Sequence, residues 1–214
     1  MNELSKSIPR RQRDPAFLAH YFVGKGLDVG CGKDCLALYG EQFPLIEGVA
    51  PYDVIFGHQD GQTLPEIPDE TFDFVHASHV LEHVPDPAAA LATWLRVIKP
   101  GGYIVVLIPE EDLYEQGIWP SQKNPDHKRT FTICKERSWS PASVNVIDLV
   151  RGLQPLAELV KLELLTSSFN FGWPAMDQTL TPIGECAIEF VLRKRTLEDM
   201  LACGRLPPRE EPHA

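Results

Sequence analysis

Short apolar runs alternate along the chain with stretches whose apolar positions recur at helical spacing, the pattern of an open α/β sheet covered on both faces. The first strand is expected over residues 26–29, followed by a short helix over 34–39, a strand over 46–49 and a further extended piece over 53–56. Phe72-Asp-Phe-Val-His-Ala77 reads as a fourth strand. Asp86 and Pro87 open an amphipathic helix over 87–98, Asp as the cap and Pro at the first helical position. Lys99-Pro-Gly-Gly102 breaks that helix, and the apolar run 103–108, closed by Pro109, is a buried strand.

Residues 110–132 then read as a long loop carrying Tyr114, Trp119, Asp126, His127 and Lys128, and a loop of that length is usually functional. A helix opens at Ser140 and Pro141 and reaches Arg151, and two last strands are expected over 159–166 and 187–193. The connection between them, 167–185, holds Phe169, Phe171, Trp173 and Met176, which either pack or line a substrate pocket. One domain is expected over 1–195, followed by a tail, 196–214, whose Pro207 to Pro212 stretch reads as disordered.

At 214 residues and 43% apolar content the chain fits one well-filled core. Its net charge of −10 argues against a surface that tracks phosphates. The two short basic clusters, Arg10, Arg11 and Arg13 near the start and Arg193 to Arg195 near the end, read as solvated termini, so nucleic acid is not expected as a partner. The five cysteines, Cys31, Cys35, Cys134, Cys186 and Cys203, form no Cys-x-x-Cys pair, which suits a reducing cytoplasm. No apolar run reaches membrane-spanning length and the polar start is unlike a signal peptide, so no membrane insertion is expected.

The most informative chemistry lies in Leu27-Asp-Val-Gly-Cys-Gly-Lys-Asp34, a Gly-x-Gly turn directly after an apolar strand. Gly30 and Gly32 can take positive φ and let a ligand approach the main chain. This turn is the first of four ordered segments; the others are Gln59-Asp-Gly-Gln-Thr-Leu-Pro65, Phe72-Asp-Phe-Val-His-Ala-Ser-His-Val-Leu-Glu-His83 and Leu95-Arg-Val-Ile-Lys-Pro-Gly-Gly-Tyr103. Together they resemble the class I S-adenosylmethionine-dependent methyltransferases, in the broad group that modifies small molecules, sugars or lipids.

That resemblance implies a Rossmann-like, doubly wound seven-stranded sheet, mostly parallel with an antiparallel last strand. It implies S-adenosylmethionine as cofactor and a small polar acceptor as partner. Asp28, Gly30, Cys31 and Gly32 would lie under the methionine part of the cofactor, Asp60, Gly61 and Gln62 at its adenine, and Ser78 and His79 near the methyl group. The acid that holds the ribose in this family is replaced by Ala50 at the position expected for it, with Asp53 or Glu47 as compensation. Asp34 stands where a third glycine is common, and the short segment before Asp60 leaves room for one helix fewer.

A neutral histidine suits removal of a proton from a hydroxyl acceptor, which makes His79 and His127 the candidate catalytic residues. Asp126 is placed to orient His127 or to form the loop. His79-Val-Leu-Glu-His83 also matches a zinc-hydrolase pattern, which requires a helix over 79–83 and a third ligand. The sequence offers no third ligand at a recognisable spacing, so no metal is expected, and His83 reads as a turn residue. Outside enzymology the alternative is a methyltransferase-shaped binding module that has lost its cofactor through Ala50 and Asp34. The acceptor, the atom methylated and the oligomeric state are left open.

Overall fold

A computed structural model describes residues 3–180 and 184–206. Among the described residues, six strands form the main sheet: β1 (Gly24–Val29), β2 (Ile46–Tyr52), β3 (Phe72–Ser78), β4 (Ile98–Pro109), β7 (Ala157–Leu165) and β8 (Ala187–Lys194). Their order is β2-β1-β3-β4-β8-β7. The first four run parallel, and β8 is antiparallel to both of its neighbours. The mostly parallel sheet with an antiparallel last strand is therefore as expected, with six strands in place of seven. The missing strand is the extended piece expected over 53–56. Asp53 accepts the Ile55 N–H and closes Val54–Phe56 into a single helical turn instead.

Strand alternation divides the sheet into two chemically different faces. Leu27, Val29, Val75, Ala77, Ile104, Val106, Ile188, Phe190 and Leu192 point to one side and pack under α2 (Pro87–Val97) and α4 (Val146–Gly152). α2 begins as expected, with the Asp86 carboxylate accepting from Ala88 N and Ala89 N. The other face carries Phe74, Val105 and Val191, but also Asp28, His76 and Glu189, all buried.

α1 (Glu3–Arg11) lies on that second face, and it corrects the reading of the basic start as a solvated terminus. Leu4 and Ile8 enter the core, and the Arg11 side chain is wholly buried. Its Nε donates to Glu189 at 2.8 Å, and Arg10 also pairs with Glu189, at 2.7 Å. At the other end of the chain, Thr196 and Asp199 form a capping box that starts α5 (Leu197–Leu201) inside the expected tail; residues 207–214 lie outside the described ones.

Two further expectations are revised. The helix over 140–151 is shortened to α4 because Ser143–Asn145 (β6) pairs with Thr130–Thr132 (β5) in a separate two-stranded sheet. The loop over 110–132 is in turn bounded by structure: α3 (Glu111–Tyr114) opens it, with the Glu110 carboxylate capping Asp112 N and Leu113 N, and β5 closes it. No described helix is long and apolar enough to cross a membrane.

Candidate functional site

A cleft opens at the carboxyl ends of β1 and β3, where open α/β sheets receive their ligands. Gly30 and Gly32 form its floor, with φ of +62° and +55°. At Gly30 a Cβ would also stand 2.6 Å from Val80 Cγ2, so conformation and space both select glycine. Cys31 lines the cleft between them; burial, with Asp28 beside it, pushes its thiol up and keeps it protonated.

Asp28 borders the same floor, yet its side chain serves the protein. One oxygen accepts from Leu36 N at 2.6 Å and the other meets His76 Nδ1 at 2.6 Å. Arg11 Nη1 lies 3.0 Å from His76 Nε2. A guanidinium only donates, so Nε2 accepts and Nδ1 donates to Asp28, which fixes the tautomer. A buried chain Glu189–Arg11–His76–Asp28 thus holds the glycine turn from below, and sequence reasoning missed it because His76 sits inside an apolar strand.

Asp53 lies nearer the glycine turn than Ala50 does. Val29 pairs with Tyr52 across β1 and β2, so Asp53 is the residue level with Gly30, beside the cleft without lining it, while Ala50 pairs with Leu27 in mid-strand and is exposed. Asp53 Oδ2 accepts the Gly32 N–H at 2.9 Å. Glu47 lies lower on the same strand, exposed. Asp34, in place of the third glycine, accepts from Ser5 N and from the Tyr39 hydroxyl, at 2.9 and 2.7 Å, and so ties the turn to α1.

Asp60, Gly61 and Gln62 stand beside the cleft without lining it. Gly61 is pressed against Val29, where a Cβ would come within 2.9 Å of its Cγ1, and its carbonyl accepts from Trp94 Nε1. Asp60 is exposed and caps Gln62 N, and Gln62 in turn accepts from Asp86 N.

The inner wall is formed by Ser78, His79, Glu82, His83, Tyr114 and His127. β3 ends at Ser78, whose buried Oγ has no hydrogen-bond partner among the described residues. His79 then takes φ +56°, which turns the chain into the single helical turn Leu81–His83. Its Nδ1 faces Glu82 Oε1 at 3.3 Å and its Nε2 faces Glu3 at 3.8 Å. Burial opposes a charge on this ring, but Glu82 and Glu3 outweigh it and raise its pKa.

His127 reaches the wall because its loop is clamped to that turn. Lys128 N and Arg129 N both donate to the Glu82 carbonyl, at 2.7 and 3.1 Å, and Arg129 Nη2 reaches the Pro85 carbonyl at 2.8 Å. The ring is buried, with Nδ1 2.6 Å from Glu115 Oε1. The other expected substrate-side loop joins the first: Gln116 exchanges two hydrogen bonds with the Met176 main chain, and Phe171, Trp173 and Met176 are exposed.

A family model described as a methyltransferase domain matches residues 4–140, more than half of the chain and all of the cleft just described but Glu3. The chain belongs to that methyltransferase family. The resemblance to S-adenosylmethionine-dependent methyltransferases is thereby borne out, and with it S-adenosylmethionine as the cofactor. Among curated relatives, a ubiquinone biosynthesis O-methyltransferase of Pseudomonas putida is 36% identical over 97 residues, covering 37% of this chain and 42% of that protein. An uncharacterized methyltransferase of Schizosaccharomyces pombe is 46% identical over 59 residues, 28% of this chain and 20% of that one. The chain thus spans less than half the length of these relatives. Among solved structures, an S-adenosylmethionine-dependent methyltransferase from Archaeoglobus fulgidus superposes with a TM-score of 0.57 at 18% identity, covering 91% of this chain and 95% of that one. One from Mesorhizobium loti gives 0.54 at 14% identity, over 87% and 100%. These last two show the fold alone.

For this methyltransferase, Asp53→Ala removes the acceptor of the Gly32 N–H and the cap of the following turn. Cofactor affinity is expected to fall about 10-fold, the effect of leaving a half-buried partner unsatisfied. Titration with S-adenosylhomocysteine checks it, and an unchanged dissociation constant would remove Asp53 from the site.

Proposed function

We propose that this methyltransferase transfers the methyl group of S-adenosylmethionine to a hydroxyl oxygen of a small polar acceptor, and that the acceptor enters between the 110–132 and 167–185 loops. The observation that carries this reading is the composition of the inner wall. An unpartnered buried Ser78 hydroxyl and the His79–Glu82 pair stand opposite the glycine turn. Asp28, Gly30, Cys31 and Gly32 form the floor for the methionine part, Asp53 takes the ribose, and Asp60, Gly61 and Gln62 border the adenine end. The Pseudomonas relative, a ubiquinone biosynthesis O-methyltransferase, lends support to oxygen as the acceptor atom.

In the transfer, the bond from sulfur to the methyl carbon breaks as the oxygen–carbon bond forms, and sulfur keeps the electron pair. The sulfonium carbon is already electrophilic, so the chain's own residues contribute alignment and proton removal. Ser78 hydrogen-bonds the acceptor, His79 takes its proton, and Glu82 stabilises the charge on the ring. His127, locked to Glu115, lies within 4.8 Å of Glu82 and adds to the polar lining of the same wall. The products are S-adenosylhomocysteine and a methyl ether.

Release of S-adenosylhomocysteine, followed over a panel of phenols, sugar hydroxyls, amines and thiols, tests the proposal. Turnover is expected with hydroxyl acceptors, and His79→Asn is expected to lower kcat about 100-fold, the low end for loss of a proton acceptor, with cofactor affinity unchanged. Turnover confined to amines or thiols, or a His79→Asn variant as fast as the parent, would contradict it.

A further inference from the structure

Glu82, His83 and His127 lie on two segments separated by more than forty residues of sequence, yet one ligand atom from each falls within 4.8 Å of the others. The geometry around them is that of prepared ligands. His83 Nδ1 is 2.9 Å from Asp126 Oδ2, and His127 Nδ1 is 2.6 Å from Glu115 Oε1. Each ring is therefore oriented through one nitrogen by a carboxylate, as in metal sites where a carboxylate fixes the tautomer of a ligating histidine. The Nε2 atoms are left for the centre of the cluster. Glu82 is wholly buried, and among the described residues neither of its carboxylate oxygens has a hydrogen-bond partner; ring nitrogens of His79 and His83 stand at 3.3 and 3.9 Å. A buried carboxylate without a hydrogen bond, with a ligand nitrogen from each of two carboxylate-oriented imidazoles within 4.8 Å, is a set of three electron-pair donors suited to one cation.

We propose that Glu82, His83 and His127 bind a first-row divalent transition metal at the inner end of the cofactor cleft, and that its open coordination positions take the acceptor's oxygen. Two imidazoles and one carboxylate suit Zn²⁺, Mn²⁺, Fe²⁺ or Co²⁺, whereas an all-oxygen set would suit Mg²⁺ or Ca²⁺. Three protein ligands leave positions open, in a cleft that Ser78 and Tyr114 also line. A cation there polarises a bound hydroxyl and holds it in place, which deepens the hydroxyl-acceptor reading of the same site and rests on it. The ligand set differs from the His-x-x-Glu-His pattern read in the sequence. Leu81–His83 is one turn rather than a helix, His79 takes left-handed backbone and faces Glu82 at 3.3 Å without belonging to the three, and the third ligand comes from His127. The clamp of Lys128 N and Arg129 N on the Glu82 carbonyl fixes the two ligand segments relative to one another.

The test is equilibrium binding of Co²⁺ to the metal-stripped full chain, read by visible absorption and by metal content after dialysis, with Zn²⁺ as competitor and Mg²⁺ as control. One equivalent of Co²⁺ per chain is expected, displaced by Zn²⁺ and not by Mg²⁺. His83→Asn and Glu82→Gln are each expected to weaken it at least 100-fold, and Glu115→Gln 10- to 100-fold, since Glu115 only orients His127. His83 is the most exposed of the three ligands, so its variant keeps the test decisive if the buried Glu82→Gln chain does not fold. Absence of bound Co²⁺, or binding indifferent to His83→Asn, would overturn the proposal. S-adenosylhomocysteine binding and turnover, measured on the same samples with and without a chelator, separate the two readings. A metal-free chain that methylates hydroxyls at full rate overturns the metal site alone, and a metal-loaded chain that methylates none overturns only the acceptor.

Discussion

Replacing Glu189 with glutamine is expected to destabilise the fold by about 3–5 kcal/mol, the cost of breaking a buried ion pair from one side. Glu189 sits in the middle of β8, and both it and Arg11 have fully buried side chains. With glutamine there, the Arg11 guanidinium keeps His76 Nε2, at 3.0 Å, and a neutral amide oxygen, but its buried charge has lost the carboxylate that balanced it. Burial by itself would push the Glu189 carboxyl up, but Arg11, Arg10 and Lys161 outweigh it and hold it down to about 2, below its ordinary 4.5. A carboxyl whose pKa is lower in the folded chain stabilises it fully above the unfolded value. That contribution is lost as pH falls from about 4.5 towards 2. Urea denaturation at pH 7 and at intermediate acid pH checks both parts. The parent should lose stability through this window, and Glu189→Gln should begin lower and show a flatter decline. Equal stability at pH 7 would mean that the pair contributes nothing to holding α1.

Gly30→Val is expected to leave a folded chain that no longer binds S-adenosylmethionine. A β-branched residue at φ +62° carries roughly 1–3 kcal/mol of backbone strain. Its Cβ would also fall 2.6 Å from Val80 Cγ2, and relieving that overlap displaces the Val80 segment that carries His79 at φ +56°. Whatever the adjustment, a branched side chain then occupies the floor proposed for the cofactor. Addition of S-adenosylhomocysteine at about 100 times its dissociation constant should stabilise the parent by about 2.7 kcal/mol, a rise of several degrees in Tm. The variant should show a lowered Tm and no rise.

The strands β1, β3, β4, β7 and β8 were legible because apolar runs bounded by Gly, Pro or Asp leave few alternatives, and α2 was legible from its Asp86-Pro87 start. α1 was not, because a basic segment containing Pro9 reads as solvent-exposed. Its spacing did carry a signal: Leu4, Ile8 and Arg11 recur at helical intervals, and Arg11 enters the core only because Glu189 and His76 meet it there. The glycine turn was legible as local chemistry. Its supports were not, since the pairing of Asp28 with His76 depends on strand register, and the position of Asp53 depends on β2 running to Tyr52. His79 and His127 were found as candidates by residue type. Glu115 was missed, and so was the convergence of His127 on Glu82, because both arise from a loop folded back onto a turn.

Calorimetric titration of S-adenosylhomocysteine into the parent and into Gly30→Val decides whether the Gly30–Gly32 turn is the floor of the cofactor site. One equivalent bound by the parent and none by the folded variant is the predicted result; equal binding by both would place the cofactor elsewhere and contradict the account.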